Sequence, residues 1–331
     1  MIGKHLTHRW HHGIRLSAAL LSITIAVCSA TATATATATP LTGHRSPAER
    51  LEEVFVPSAM GPVKVQIQWA SRGGDAALYL LDGLRARDDV NGWILETDAA
   101  RQFVDDDITL VMPVGGESSF YTDWLSPSNF NHQAVTYIWE TFLTEELPTY
   151  LATRGVSRTN NAIVGLSMGG SAALSLAAHH RDQFKAAASY SGYLHLSAPA
   201  MREAIRVAVF DAGGFNVDAM WGPPWSSGWL RNDPYVFAPS LAGLPIYISA
   251  ASGLPGNRDR PNSAGSVAKT AGAMALEVLS LIQTRAFRIR LDALGIPAQF
   301  SFPAVGTHSW GYWQDELAKS RPMLLTALDA H

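Results

Sequence analysis

Cysteine is almost absent from this chain: the only one among 331 residues is Cys28, close to the N-terminus. No intrachain disulfide can therefore form, so packing has to supply the stability of the fold. Once the N-terminal segment is removed, no thiol remains to act as a nucleophile. Any covalent chemistry of the remaining chain then has to use an oxygen.

Charge is also scarce, since only 16% of the residues are charged and the formal net charge is −3. The sequence contains no block of Lys or Arg, which excludes the electrostatic surface that nucleic acids and anionic headgroups require. Hydrophobic residues make up 47% of the chain, a proportion that argues against disorder and predicts a buried core.

The N-terminal segment has the pattern of an export signal, in which basic residues precede an apolar run, 18–27, too short to span a bilayer. An alternating Thr/Ala run follows and cannot form a core. We predict that residues 1–39 are a signal peptide and spacer, and that 40–331 form one secreted or envelope-located domain. No second apolar span is expected.

Apolar and β-branched runs alternate with helical patterns along the rest of the chain. This alternation predicts an α/β fold, with a mostly parallel central sheet covered by helices on both faces. The predicted helices include 137–150, 168–180 and 314–328. The predicted strands are 63–69, 76–81, 108–114, 161–166, 186–190, 246–250 and 299–302.

The segment 213–239 interrupts this alternation because it is crowded with Gly, Pro and Trp, including Trp221, Trp225 and Trp229. We expect an irregular insertion here. Two interpretations are open: the insertion is a substrate flap, or its tryptophans fix a long loop to the core.

Gly165, Ser167 and Gly169 form a Gly-x-Ser-x-Gly motif between a predicted strand and a predicted helix. Such a sharp turn needs glycines for clearance and projects the serine hydroxyl above the sheet. The motif predicts Ser167 as a nucleophile. Met168 follows it, and its amide together with that of Leu84, in an early strand-to-helix loop, would stabilise an oxyanion.

A serine nucleophile needs an imidazole base, and His308 lies on a Gly-rich loop after the last predicted strand, where this chain order expects one. The orienting acid is open between two residues. Asp259 follows a predicted strand, whereas Glu277 sits among apolar neighbours and would need a partner if buried. Asp233 is interpreted as a turn cap.

Seven segments together resemble the antigen 85 family of mycolyltransferases and the related corynomycolyltransferases of actinobacterial envelopes. The resemblance covers nearly the whole chain after the leader and implies an α/β-hydrolase fold. The segments are Leu81–Trp93, Met112–Trp124, Trp139–Leu143, Gly165–Met168, Met220–Pro223, Arg231–Pro234 and Gly306–Trp310.

The resemblance implies transfer of mycolyl groups from trehalose esters to trehalose or arabinogalactan, with no metal or cofactor. It implies lipid substrates of the envelope as partners, peripheral contact with the mycolate layer, and fibronectin binding only by analogy. The implied site comprises the triad Ser167, Glu277 and His308, the oxyanion amides of Leu84 and Met168, and sugar contacts from Asp82, Arg85 and Trp310.

Three positions depart from the family pattern: Glu96 and His195 stand where Asn and Asp are usual, and Ala250 replaces a frequent cysteine. The two polar changes fall among the residues expected to bind sugar, so the acceptor is not fixed by the resemblance. The alternatives to acyl transfer are a secreted carboxylesterase that releases the acid to water and a fibronectin-type adhesin on the same fold.

Overall fold

The computed structural model describes residues 51–259 and 263–331. The predicted leader and spacer, with Cys28 and the first residues of the predicted domain, lie outside this part of the chain. The domain boundaries therefore stay a prediction.

The described residues form one sheet of eight strands in the order β1-β2-β4-β3-β5-β6-β7-β8. Neighbouring strands from β4 to β8 run parallel, while β2 is antiparallel to both β1 and β4. The strands are β1 (Glu52–Val56), β2 (Val63–Gln68), β3 (Ala76–Leu81), β4 (Ile108–Pro113), β5 (Asn161–Leu166), β6 (Phe184–Tyr190), β7 (Ile246–Ser249) and β8 (Gln299–Ser301).

Helices connect most of the strands. A π-helical turn at Phe142–Glu146 follows the α-helix that ends at Thr141, and a 3-10 turn at Ala238–Leu241 follows the α-helix that ends at Phe237. The α-helices are α1 (Gly92–Leu95), α2 (Ala99–Gln102), α3 (Trp139–Thr141), α4 (Leu147–Ala152), α5 (Met168–His179), α6 (Met201–Gly213), α7 (Val217–Trp221), α8 (Gly228–Arg231), α9 (Pro234–Phe237), α10 (Ala264–Leu294) and α11 (Trp310–Leu328).

Each face of the sheet carries its own core because side chains alternate along a strand. On β3, Tyr79 faces the core shared with Leu174 of α5, whereas Leu78 and Leu80 face the core shared with Leu317 of α11. Helices therefore cover both faces, and the predicted α/β fold with a mostly parallel sheet is confirmed.

Elements that were not predicted from the sequence include the edge strand β1, the helix α6 and the 31-residue helix α10. The expectation of no further apolar span was also wrong, since Gly265–Leu294 is long and apolar enough to cross a membrane by length and composition. One side of α10 packs inward through residues such as Phe287. Its exposed apolar side chains, which blur the helical period, are Val267, Leu276, Val278, Ile282, Ile289 and Leu294.

The Trp-rich insertion is not irregular, because it folds into the short helices α7, α8 and α9. Trp221 and Trp229 are buried and contact each other edge to face, and only Trp225 is exposed. The structure therefore supports the interpretation in which tryptophans fix this segment to the core.

A charged cluster joins α3 and α8 to the end of α5. The carboxylate of Glu140 accepts one hydrogen bond from Arg231 at 2.7 Å and lies 2.8 Å from Nε2 of His180. Burial alone would raise the pKa of Glu140, but the bonds from His180 and Arg231 outweigh it and hold the pKa at about 2. Ionised Glu140 therefore stabilises the fold.

Substitution Glu140→Gln should lower the free energy of unfolding at neutral pH by roughly 1–3 kcal/mol, because bonds to a charged acceptor are lost. A lowered carboxyl pKa stabilises the fold above the unfolded value and stops doing so as the pH falls toward 2. Denaturant titrations should show the difference from wild type shrinking between pH 4.5 and 2. Asp182→Asn, at an exposed position, is the control; a difference that does not change with pH would contradict the assignment.

Candidate active site

Ser167 occupies a strained turn between β5 and α5, with φ 53° and ψ −121°. Non-glycine residues rarely adopt a positive φ, and such strain is typical of functional sites. The two flanking glycines make the turn possible: a Cβ on Gly165 would lie 2.0 Å from the carbonyl oxygen of Gly169, and one on Gly169 would lie 2.3 Å from that of Asp82. The predicted serine turn is present.

His308 comes from the loop between β8 and α11 and reaches Ser167 across the end of the sheet. Its Nε2 lies 2.8 Å from Oγ of Ser167, and its Nδ1 lies 2.8 Å from Oε2 of Glu277. The structure thus brings the three predicted side chains into one hydrogen-bonded chain, in the order that a serine, base and acid require.

The carboxylate of Glu277 is only 1% exposed and is surrounded by donors. Its Oε1 accepts hydrogen bonds from the hydroxyl of Ser191 at 2.8 Å and from the backbone amide of Ala251 at 2.7 Å. The indole of Trp313 in turn donates to Ser191 at 2.9 Å. Both carboxylate oxygens are therefore paired, which fixes the side chain toward His308.

Asp259, the other acid that the sequence allowed, does not contact His308. Its carboxylate accepts hydrogen bonds from Thr307 at 2.7 Å and from Tyr312 at 2.6 Å, on either side of His308 in the chain. Asp259 therefore fastens the loop that carries the histidine. Asp233 caps α9 by accepting from the amide of Tyr235, as interpreted from the sequence.

The amides proposed for the oxyanion lie beside Ser167. Met168 opens α5, where the first amides of a helix have no partner within the helix. The loop of Leu84 is close, since a Cβ on Gly83 would lie 3.6 Å from Cβ of Ser167. Among the described residues neither amide has a hydrogen-bond partner.

The predicted sugar-binding residues differ in exposure. Trp310 is half-buried and meets Trp93 and Trp313 edge to face. Arg85 is exposed and pairs with Asp211 of α6 at 2.6 Å, so a sugar would have to compete with that carboxylate.

Asp82 does not present its carboxylate to solvent, since it is 2% exposed and accepts a hydrogen bond from the amide of Gly92 at 2.9 Å. A Cβ on Gly92 would meet both Oδ1 of Asp82 and the ring of Trp310. Burial raises the pKa of Asp82 to about 7, and nearby Glu96 contributes. The carboxylate of Asp82 is therefore not exposed for the predicted contact with a sugar. Its hydrogen bond to Gly92 instead fixes the turn that lies against Trp310.

The departures from the family pattern also have distinct surroundings. The ring of His195 stacks on Tyr235 at 4.0 Å, Glu96 is exposed at the end of α1, and Ala250 is buried. None of the three forms a hydrogen bond with the side chains of Ser167, His308 or Glu277.

Several residues that hold the site through hydrogen bonds were not predicted from the sequence. Ser191 has φ 51° at the end of β6, and Ser118 and Tyr121 have φ values of 59° and 49° in a strained loop. Tyr121 accepts a hydrogen bond from the amide of Asp82, while Ser118 donates to the carbonyl of Leu84. The segment Met112–Trp124 was noted as a family signature, but its role as this support is visible only in the fold.

A cavity of about 630 Å³ lies elsewhere, beside the Glu140 cluster. Its lining includes Asp123, His180 and Arg231 but none of the residues predicted for catalysis or sugar binding. The charged groups of Glu140, His180 and Arg231 pair with one another, and Ser167 does not line this cavity.

The sheet order and the residues at its edge define an enzyme of the α/β-hydrolase fold, in the class of serine esterases and acyltransferases. Residues 58–324 match the family model described as putative esterase. The chain belongs to the Ag85 family of diacylglycerol acyltransferases/mycolyltransferases, as the following similarities establish.

The chain is 44% identical over 292 residues to the diacylglycerol acyltransferase/mycolyltransferase Ag85B of Mycolicibacterium smegmatis, covering 85% of this chain and 86% of that protein. It is 43% identical over 280 residues to Ag85C of Mycobacterium avium, covering 83% and 76%. The crystal structure of Mycobacterium tuberculosis MPT51 superposes with a TM-score of 0.72 at 30% identity, covering 84% of this chain and 99% of that one.

Replacing Asp82 should reveal how much the ionised, buried carboxylate lowers the free energy of unfolding. A raised folded-state pKa means that the carboxyl stabilises the fold fully below the unfolded pKa of 3.8, and that this contribution is lost as the pH rises through about 7. Each unit by which the pKa is raised corresponds to about 1.4 kcal/mol. Asp82→Asn cannot ionise, so wild type should lose stability relative to the variant between pH 4 and 8 in chemical unfolding. Parallel pH curves would show that Asp82 ionises normally.

Proposed function

We propose that this protein is a secreted acyltransferase that moves long-chain mycolyl groups between trehalose esters and onto trehalose or arabinogalactan. The observation that carries the proposal is the unbroken hydrogen-bonded chain from Ser167 through His308 to Glu277. The mycolyltransferase activity for which the Ag85 relatives are named supports the acyl group and the transfer reaction, and the signal-like N-terminal segment supports secretion.

The reaction we propose has two halves with a shared base. Oγ of Ser167 attacks the ester carbonyl carbon while its proton passes to Nε2 of His308. The carbonyl oxygen, now negative, accepts hydrogen bonds from the amides of Leu84 and Met168. The C–O bond to the sugar then breaks, the sugar oxygen takes the proton from His308, and an acyl ester remains on Ser167.

The second half reverses these steps with an acceptor hydroxyl in place of the departed sugar. His308 removes the proton of this hydroxyl, its oxygen attacks the acyl carbon, and Oγ leaves with a proton from His308. The carboxylate of Glu277, which lies 2.8 Å from Nδ1 of His308, balances the positive imidazolium in both halves. Transfer requires that the acceptor be bound where water would otherwise react, and Arg85 and Trp310 supply polar and aromatic surface for a sugar.

The transfer assay separates this function from plain hydrolysis. With a short-chain acyl ester as donor and trehalose as acceptor, mass spectrometry should detect acyl-trehalose as well as an acyl adduct on Ser167. Ser167→Ala should abolish both. If free acid is the only product at saturating trehalose, the protein is an esterase; if Ser167 is never labelled while a protein partner binds, the catalytic proposal is wrong.

The choice of acid can be tested with two amide substitutions. Glu277→Gln keeps the shape but cannot balance the imidazolium, so we expect kcat for ester hydrolysis to fall roughly 10²–10⁴-fold. Asp259 holds the loop of His308 but does not contact the histidine itself. Asp259→Asn should therefore keep kcat within about tenfold of wild type while lowering the thermal stability. Equal losses in both variants would contradict the assignment of Glu277.

A further inference from the structure

The loop Ser118–Tyr121 follows β4 and has a strained backbone. Ser118, Phe120 and Tyr121 have φ values of 59°, 51° and 49°, in the left-handed region that non-glycine residues rarely adopt. All four residues of the loop are buried. Strain of this kind persists only where surrounding contacts fix the backbone, and it is concentrated at functional sites. The residues that the loop contacts therefore indicate its role.

One contact of this loop is with the first residue of α5. The amide of Phe120 donates a hydrogen bond to Sδ of Met168 at 3.2 Å. A thioether is a weak acceptor. Both residues are buried, however, so loss of the sulfur would leave the amide of Phe120 without a partner. The sulfur thus ties the residue that supplies one oxyanion amide to the strained loop.

Two further contacts are with the segment that supplies the other oxyanion amide. The amide of Ser118 donates to the carbonyl of Leu84 at 2.9 Å. The amide of Asp82 donates to the hydroxyl of Tyr121 at 3.0 Å. The amide of Leu84 lies between these two anchors in the chain. Because a peptide group is planar, fixing the groups on either side of it fixes the direction of its N–H bond.

The relative position of the two amides decides how well they stabilise the oxyanion. Each must lie about 2.7–3.1 Å from the oxygen that becomes negative. The amides come from separate elements, since Leu84 follows β3 whereas Met168 begins α5. A shift of about 1 Å in either amide would weaken bonds that form fully only in the transition state, while binding of the uncharged ester would hardly change.

We propose that the loop Ser118–Tyr121 sets the separation of the two oxyanion amides, with the sulfur of Met168 and the hydroxyl of Tyr121 as its positioning groups. Both groups are buried, and each acts through the backbone that it holds. This inference rests on the chemistry proposed at Ser167, but it does not depend on which acceptor takes the acyl group.

The test is Met168→Leu in the full chain, which keeps the backbone amide and removes the sulfur. For hydrolysis of a short-chain p-nitrophenyl ester, kcat should fall about tenfold while KM stays within about twofold of wild type. Inhibition by a trifluoromethyl ketone, whose adduct with Ser167 carries an oxyanion, should weaken by a similar factor. Tyr121→Phe removes the hydroxyl that holds the amide of Asp82 and should show the same pattern.

Two buried residues of the same core serve as matched controls. Met201→Leu removes a sulfur in α6, and Tyr79→Phe removes a phenol hydroxyl in β3. Both controls should keep kcat and the affinity for the ketone within about twofold of wild type, even where thermal melting shows that stability has fallen.

Retention of kcat within about twofold in both Met168→Leu and Tyr121→Phe would overturn the inference. Equal losses of kcat in the control variants would also overturn it, because the effect would then be one of general core packing. A raised KM with an unchanged kcat would assign the two groups to substrate binding, against the inference. Activity retained by Ser167→Ala would instead contradict the nucleophile proposal.

Discussion

The carboxylate of Glu277 is the constraint around which this end of the molecule is arranged. A charge that is 1% exposed would destabilise the fold by several kcal/mol without partners, so donors must converge on it. They come from separate parts of the chain: Ser191 follows β6, Ala251 follows β7, and His308 follows β8. The order of these parallel strands brings their ends side by side. The imidazole of His308 is therefore one of the hydrogen-bond partners that the buried carboxylate of Glu277 requires.

Local sequence patterns were sufficient for most of the sheet but not for all of the elements. Strands β3 and β5 were predicted to the residue, because each is a short apolar run buried on both faces. The edge strand β1 begins with Glu52 and Glu53 and has one exposed face, so it lacks that signal. Helix α10 was missed for the opposite reason, since apolar side chains such as Ile282 lie on its exposed side and hide the period that marks an amphipathic helix.

The residues of the site also differ in whether a local sequence pattern or only the tertiary structure reveals them. Ser167 was predictable because strand, glycines and helix all lie within ten residues of one another. The acid was not, since the spacing admitted both Asp259 and Glu277, and only the family resemblance favoured the second. The supporting role of Ser191 was not predictable either, because its hydroxyl contacts Glu277 of α10 and Trp313 of α11, which are distant in the chain.

The loop that carries His308 is held by hydrogen bonds to neighbouring loops and to α10, and not by a ladder of strands. Asp259 joins Thr307 to Tyr312, and the amide of His308 donates to the carbonyl of Ala273 in α10. Segments attached in this way open at lower free energy than the strands of a core. Warming should therefore release the imidazole while the sheet is still intact, so that loss of catalysis precedes loss of helical and strand signal. Enzyme assays would then report damage to this protein earlier than circular dichroism.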